Sequence, residues 1–97
     1  MKFRVVFHPL LNQELQQVTE WYEDQSPGLG EDFFCEFEAA VHLIQKAPFA
    51  FSIFLRRFRQ VKTNRFPYII VFEVEEDTIY IHQVIHAHRL PEKRIRR

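Results

Sequence analysis

The chain is short of cysteine, of glycine and of any charge excess, and each shortage closes off a class of protein. One cysteine in 97 residues, Cys35, cannot form an internal disulfide, so a stapled secreted scaffold is excluded and a reducing cytoplasm is the expected compartment. Cys35 has no cation beside it in the sequence and reads as packing or surface, not as a nucleophile. Both glycines, Gly28 and Gly30, fall in one short segment, and no P-loop, dinucleotide fingerprint or Ser/His/Asp arrangement is present. No apolar run approaches the roughly 18 residues of a membrane span, and the apolar stretch at the N-terminus is too short for a signal peptide. No membrane partner is expected. Lys and Arg number 13, as do Asp and Glu, which removes any argument for a polyanion partner from the sum alone.

What the chain does have is hydrophobic mass and sorted charge. Hydrophobic residues make up 46%, including eleven Phe, so one domain spanning residues 1–97, with a basic tail at 87–97, is expected to build a single core. The acids Glu14, Glu20, Glu23, Asp24, Glu31, Asp32, Glu36 and Glu38 all lie in the first forty residues. The bases gather later, as Arg56, Arg57, Arg59, Lys62 and Arg65, then Arg89, Lys93, Arg94, Arg96 and Arg97. If both basic clusters fold onto one side, the molecule is a dipole that attracts anionic partners despite its neutral total.

Hydrophobic spacing sets the order of elements. Phe3, Val5 and Phe7 alternate with Lys2 and Arg4, which predicts a strand with one buried face. Leu11, Leu15, Val18 and Tyr22 recur at helical spacing after Pro9, predicting a first helix from about Pro9 to Gln25. Ser26 to Gly30 reverses the chain, and Phe33, Phe37, Ala40, Val41 and Ile44 predict a second helix ending near Ala47, before Pro48. Such a short link makes a helical hairpin. Phe49 to Phe54 reads as a connection packed on the core. Three strands follow, at Leu55 to Lys62, Phe66 to Glu75 and Thr78 to His86, the last two joined as a tight antiparallel hairpin. The expected fold is α+β, in the order β-α-α-β-β-β: a twisted antiparallel sheet with the helical hairpin on one face and the other face partly open.

Four sequence pieces then point to a family. Trp21-Tyr22-Glu23-x-Gln25-x-Pro27-Gly28-Leu29-Gly30-x-x-Phe33, then Pro48, then Arg65-Phe66-Pro67-Tyr68-x-Ile70, then Val84-x-His86-x-x-Arg89-x-Pro91 stand in order along nearly the whole chain. Together they resemble the RelE/ParE superfamily of toxins from type II toxin–antitoxin modules, and within it the ParE branch, often described as plasmid stabilisation proteins. The resemblance implies a cytoplasmic toxin neutralised by an antitoxin that wraps it, with scope for a higher-order toxin–antitoxin complex. ParE-type members inhibit DNA gyrase by binding it. RelE-type members act as mRNA interferases, cutting messenger RNA on the ribosome. A third alternative is a non-toxic binding or regulatory member.

Cutting RNA through its own 2′-hydroxyl needs an acid–base group and cations around the phosphate. His86, Arg65 and Arg89 are the catalytic candidates under that alternative, with Arg57, Arg59 and Lys62 as further cations. No Tyr follows Tyr80, so the C-terminal tyrosine of many RelE-like nucleases is missing, and no carboxylate stands beside the basic cluster. A protein-binding toxin without enzymatic activity is therefore the favoured expectation. Its contacts with antitoxin or target are assigned to Arg56, Arg57, Arg59, Lys62, Arg94, Arg96 and Arg97, with Phe58 and Phe54 as aromatic contact residues. His82 and His86 would share a face of a regularly alternating strand, but no third ligand completes a set, so neither a metal nor another cofactor is expected.

Overall fold

The computed structural model describes residues 2–86. Strand β1 (Arg4–Phe7) leads into helix α1 (Leu11–Gln25) and helix α2 (Leu29–Lys46), followed by a single 3-10 turn (Pro48–Ala50). Strands β2 (Ile53–Leu55), β3 (Phe58–Lys62), β4 (Tyr68–Glu75) and β5 (Thr78–His86) complete the chain. The five strands make one sheet in the order β1-β5-β4-β3-β2. The α+β class and the order of elements are those expected, while two features of the sheet differ. First, β1 runs parallel to β5, with Arg4 opposite Thr78 and Phe7 opposite Ile81, so the sheet is mixed. Second, the strand expected over Leu55 to Lys62 is two strands. Leu55 faces Phe58 across a two-residue turn, and Arg56 holds a positive φ of 54°. Tight hairpins favour that geometry, but Gly or Asn normally announces it, and Arg-Arg does not. The β4–β5 turn repeats the device, with Glu76 at φ 56°.

α1 starts two residues later than predicted because the chain must first turn out of β1. His8 stabilises that turn: its Nδ1 accepts the amide of Leu10 at 3.1 Å and its carbonyl accepts the amide of Leu11 at 3.0 Å. Between the helices, the Glu23 carboxylate accepts the amides of Gly28 at 2.9 Å and Gly30 at 3.1 Å. It thereby satisfies amide donors at the start of α2, whose N-cap residue is Gly28 and has no side chain to do so. Gly28 stands at φ 88°, and a Cβ on Gly30 would lie 2.4 Å from the carbonyl oxygen of Thr19. One glycine is thus required by the turn and the other by the close approach of the two helices.

The main core lies between the helical hairpin and one face of the sheet. Leu11, Phe33 and Ile44 meet Ile70, Phe72, Ile79 and Ile81 there, each essentially without exposure. Burying side chains of this size stabilises a fold by about 1.5–3 kcal/mol apiece. The opposite face of the sheet is closed at its centre. Phe58, Ile69, Val71 and Ile85 form a second buried cluster, against which Phe54 and Leu55 pack.

Both faces are served by β5 because its alternation breaks. The pairing steps from Val71–Gln83 to Phe72–Ile81, leaving His82 as the extra residue of a bulge. Ile79 and Ile81 therefore share the helical face with Val84, while Ile85 joins the other cluster. His82 packs its ring near Phe58, at 4.9 Å between centroids, whereas His86 meets Tyr68 on the helical side at 5.2 Å. The expectation that His82 and His86 share a face fails, since one extra residue flips every side chain beyond it.

Candidate functional site

The basic residues between Arg56 and Arg65 do not converge. Arg57, in the β2–β3 turn, pairs with Glu73 of β4. Arg59, on β3, donates from Nη1 to the carbonyl of Phe51 at 2.6 Å and lies over the Phe49 ring, 5.2 Å from its centroid. Arg65 turns to α2, where its Nη1 meets Asp32 Oδ2 at 3.0 Å and its backbone amide donates to Glu36 Oε1 at 2.8 Å. Arg56 and Lys62 are exposed, at the turn and at the far end of β3. Among residues 53–86, five bases stand against four acids, Glu73, Glu75, Glu76 and Asp77, so this part of the sheet is only slightly basic. Phe58 is buried, which withdraws it as a contact residue, and Phe54 is half-buried beside it.

Arg65 and His86 border the same aromatic cluster through different rings. The Arg65 guanidinium sits 5.1 Å from the Phe66 centroid, and His86 meets Tyr68 edge-on. Tyr22 lies between them, 4.8 Å from Phe66 and 6.2 Å from Tyr68. Burial, then the neighbouring Tyr68 and Glu36, push the Tyr22 phenol above its ordinary pKa. Glu36 Oε2 is buried there without a hydrogen-bond partner. Arg89, Arg94, Arg96 and Arg97, with the rest of the basic tail, lie outside the described residues. No group of three or more possible metal-ligating side chains occurs among the described residues.

A feature the sequence reading missed is an apolar groove between β1 and the helical hairpin, with a volume of about 640 Å³. Val5 and Phe7 of β1 form one wall, Leu11 and Leu15 of α1 line its base, and Phe34, Phe37 and Val41 of α2 form the other wall. Phe7 is 49% exposed and Phe34 39% exposed, so the apolar face of β1 runs past the core into open surface. A smaller hollow of about 330 Å³ shares Asn12, Leu15 and Phe34 with it and extends the groove toward Glu20. The signal was present in α2 as doublets: Phe33-Phe34 and Ala40-Val41 place a second apolar stripe beside the core stripe. β1 is also an edge strand, with one side of its backbone paired only to β5.

Three comparisons bear on the whole chain. A family model described as the ParE toxin of the type II toxin–antitoxin system parDE matches residues 5–91. No curated protein matches significantly. Among solved structures, a chain of the chromosomal ParDE TA system from P. aeruginosa is similar in fold, with a TM-score of 0.78 and 13% sequence identity over 88% of this chain and 96% of that one. No helix among the described residues is long and apolar enough to cross a membrane.

Proposed function

The chain belongs to the ParE toxin family of type II toxin–antitoxin systems, and from that premise we propose that it inhibits DNA gyrase by protein contact and is neutralised by a cognate antitoxin. The observation that carries the contact reading is the dispersal of the cations. Arg57, Arg59 and Arg65 are each engaged by a separate local partner, Glu73, the Phe51 carbonyl and Asp32. Stabilising a phosphate as charge builds on it would call for converging donors instead. Cations dispersed over the β2–β3 turn, β3 and the loop after it suit an extended acidic segment, which they steer and hold by charge.

The antitoxin, on this reading, crosses the Arg56 to Arg65 strip and the helical side, where the apolar groove offers room for its anchoring side chains. Arg94, Arg96 and Arg97 extend the same basic contact in sequence. Purified protein added to a gyrase supercoiling reaction and to a translating extract tests the function. Loss of supercoiling with intact messenger RNA is expected. Codon-spaced cuts in the messenger RNA would make the chain a ribonuclease, and no effect in either assay would make it a binding member. Charge reversal at Arg57 and Arg59 together is expected to weaken the complex with antitoxin at least about tenfold at low salt, read by titration calorimetry.

A further inference from the structure

The corner between β1 and α1 depends on one imidazole. Nδ1 of His8 accepts the amide of Leu10 at 3.1 Å, two residues ahead, in the way that an Asn or Asp side chain closes an Asx turn. Leu10 is the N-cap of α1 and has no capping side chain of its own. The His8 backbone is tied on both sides as well: its amide donates to the carbonyl of Ile81 on β5 at 2.9 Å, and its carbonyl accepts the amide of Leu11 at 3.0 Å. His8 therefore joins the edge strand of the sheet to the helix that follows it.

An imidazole accepts at Nδ1 only while that nitrogen carries no proton, so the half-buried ring is neutral, with its proton on Nε2. A second proton turns the acceptor into a donor facing an N–H. The ring packed against it is another imidazole, His82 of the β5 bulge, edge-on at 5.2 Å between centroids, which offers a cation no countercharge. The other ionisable groups on the surrounding elements are Arg4 on β1, Tyr80 on β5, Glu14 in the first turn of α1, and Glu38 and His42 on α2, which line the groove with His8. Glu14 and Glu38 favour the cation through space, although Glu14 Oε1 already accepts the amide of Val84 at 3.5 Å. The lost acceptor at Leu10 opposes the cation through a direct bond.

We propose that His8 is a pH-sensitive latch: the neutral ring holds the β1–α1 corner shut, and the protonated ring releases the Leu10 amide and lets the edge strand loosen below about pH 6.5. The closed corner needs the neutral ring and the open corner does not. The open form therefore binds the extra proton, and opening is favoured as pH falls. Above about pH 7.5 the latch is closed and adds no slope. The device requires neither antitoxin nor gyrase, so it stands or falls apart from the toxin reading.

Long-range proton–nitrogen correlation spectra of the unmodified full chain read the tautomer directly, and the Nε2–H form of His8 is expected at pH 7.5. Hydrogen exchange at the Leu10 amide, corrected for its intrinsic rate, should show an opening equilibrium that rises about tenfold between pH 7.5 and pH 5.5. His8→Asn supplies an acceptor oxygen that does not titrate, so the corner should stay closed and the pH dependence at Leu10 should vanish. His8→Ala should open the corner at both pH values. His82→Phe keeps a ring against His8 and should leave the pH dependence in place. An Nδ1–H tautomer overturns the proposal without recourse to any variant. So does an opening at Leu10 that ignores pH, a pH dependence that survives His8→Asn, or its loss in His82→Phe, which would move the titrating group to β5.

Discussion

The molecule contains two kinds of hairpin, and they use charge differently. In the helical hairpin Glu23 is spent on the amides of Gly28 and Gly30, fixing the turn, and Asp32 and Glu36 hold Arg65, while Glu20, Glu31 and Glu38 are exposed. In the β2–β3 hairpin the cations are largely consumed locally, by Glu73 and by the Phe51 carbonyl. The difference follows from burial. The helical hairpin is anchored by Leu11, Phe33 and Ile44 at 1% exposure or less, so burial carries most of its stability and surface charge adds to it. The β2 edge strand is three residues long with Ile53 exposed, so side-chain contacts across it matter more.

The sharpest way to break this contrast is to remove an aromatic ring from each side. Phe33 is fully buried among Tyr22, Phe66 and Tyr68, so Phe33→Ala should cost about 3–5 kcal/mol in urea denaturation. Phe49, beside the β hairpin and 61% exposed, should cost less than about 1.5 kcal/mol on the same substitution. Comparable losses at both positions would remove the distinction. Next in size is Gly30→Ala. Its Cβ would meet the Thr19 backbone at 2.4 Å, a clash that only helix displacement relieves, at about 1–3 kcal/mol. Gly28→Ala meets nothing within 4 Å and strains only the backbone at φ 88°, so about 1–2 kcal/mol is expected, with Gly28→Asn recovering part of it. A full recovery by Asn at Gly30 would show that packing was not the cause there.

Glu23→Ala leaves two amides at the start of α2 without their carboxylate, and about 1–2 kcal/mol should be lost. Glu23→Gln keeps an acceptor oxygen and should lose less. The corresponding β-hairpin change, Arg59→Ala, removes a donor to Phe51 and a cation over Phe49. About 1 kcal/mol is expected there, since the group is only half-buried. Chemical denaturation at matched salt ranks the pair, and an Arg59 effect larger than that of Glu23 would invert the contrast.

Where local spacing and the final environment agree, the sequence was sufficient. Both helices, the β4–β5 turn at Glu76-Asp77 and the double-sided burial of β4 follow from Leu, Phe, Ile and Val positions alone. Apart from the parallel pairing of β1, the failures have one physical origin: a single residue out of phase. Arg56 takes a left-handed conformation usually left to Gly or Asn, and so the β2–β3 turn read as continuous strand. His82 inserts into β5 and reverses the facing of all that follows. Phe58 then lands in a buried cluster that alternation alone did not foresee. The groove was half legible, because the second apolar stripe on α2 is visible while the edge position of β1 depends on its distant pairing with β5. The charge sorting was legible as composition, but which cations remain available depended on partners as far apart as Arg65 and Asp32.

The smallest effect sits where the helical hairpin is joined to the sheet. Tyr22 of α1 packs on Phe66 and Tyr68, and burial followed by the charges of Tyr68 and Glu36 raises its pKa above the ordinary value of 10.0. In the unfolded chain the phenol loses its proton near pH 10, while in the folded chain it keeps it to higher pH. Across that window the folded state binds more protons than the unfolded state, so stability must fall as pH rises. Below pH 10 the stabilisation is fully present and no slope from this group is expected. Urea midpoints measured from pH 8 to pH 11 should therefore be flat and then decline, and Tyr22→Phe should reduce the decline while leaving the lower range without a slope. The Arg57–Glu73 pair of the β hairpin, exposed on the Arg57 side, should instead respond to salt. If Tyr22→Phe leaves the alkaline slope unchanged, the joint between hairpin and sheet is not where the proton is held, and the contrast between a burial-governed hairpin and a charge-governed one loses its clearest solution signature.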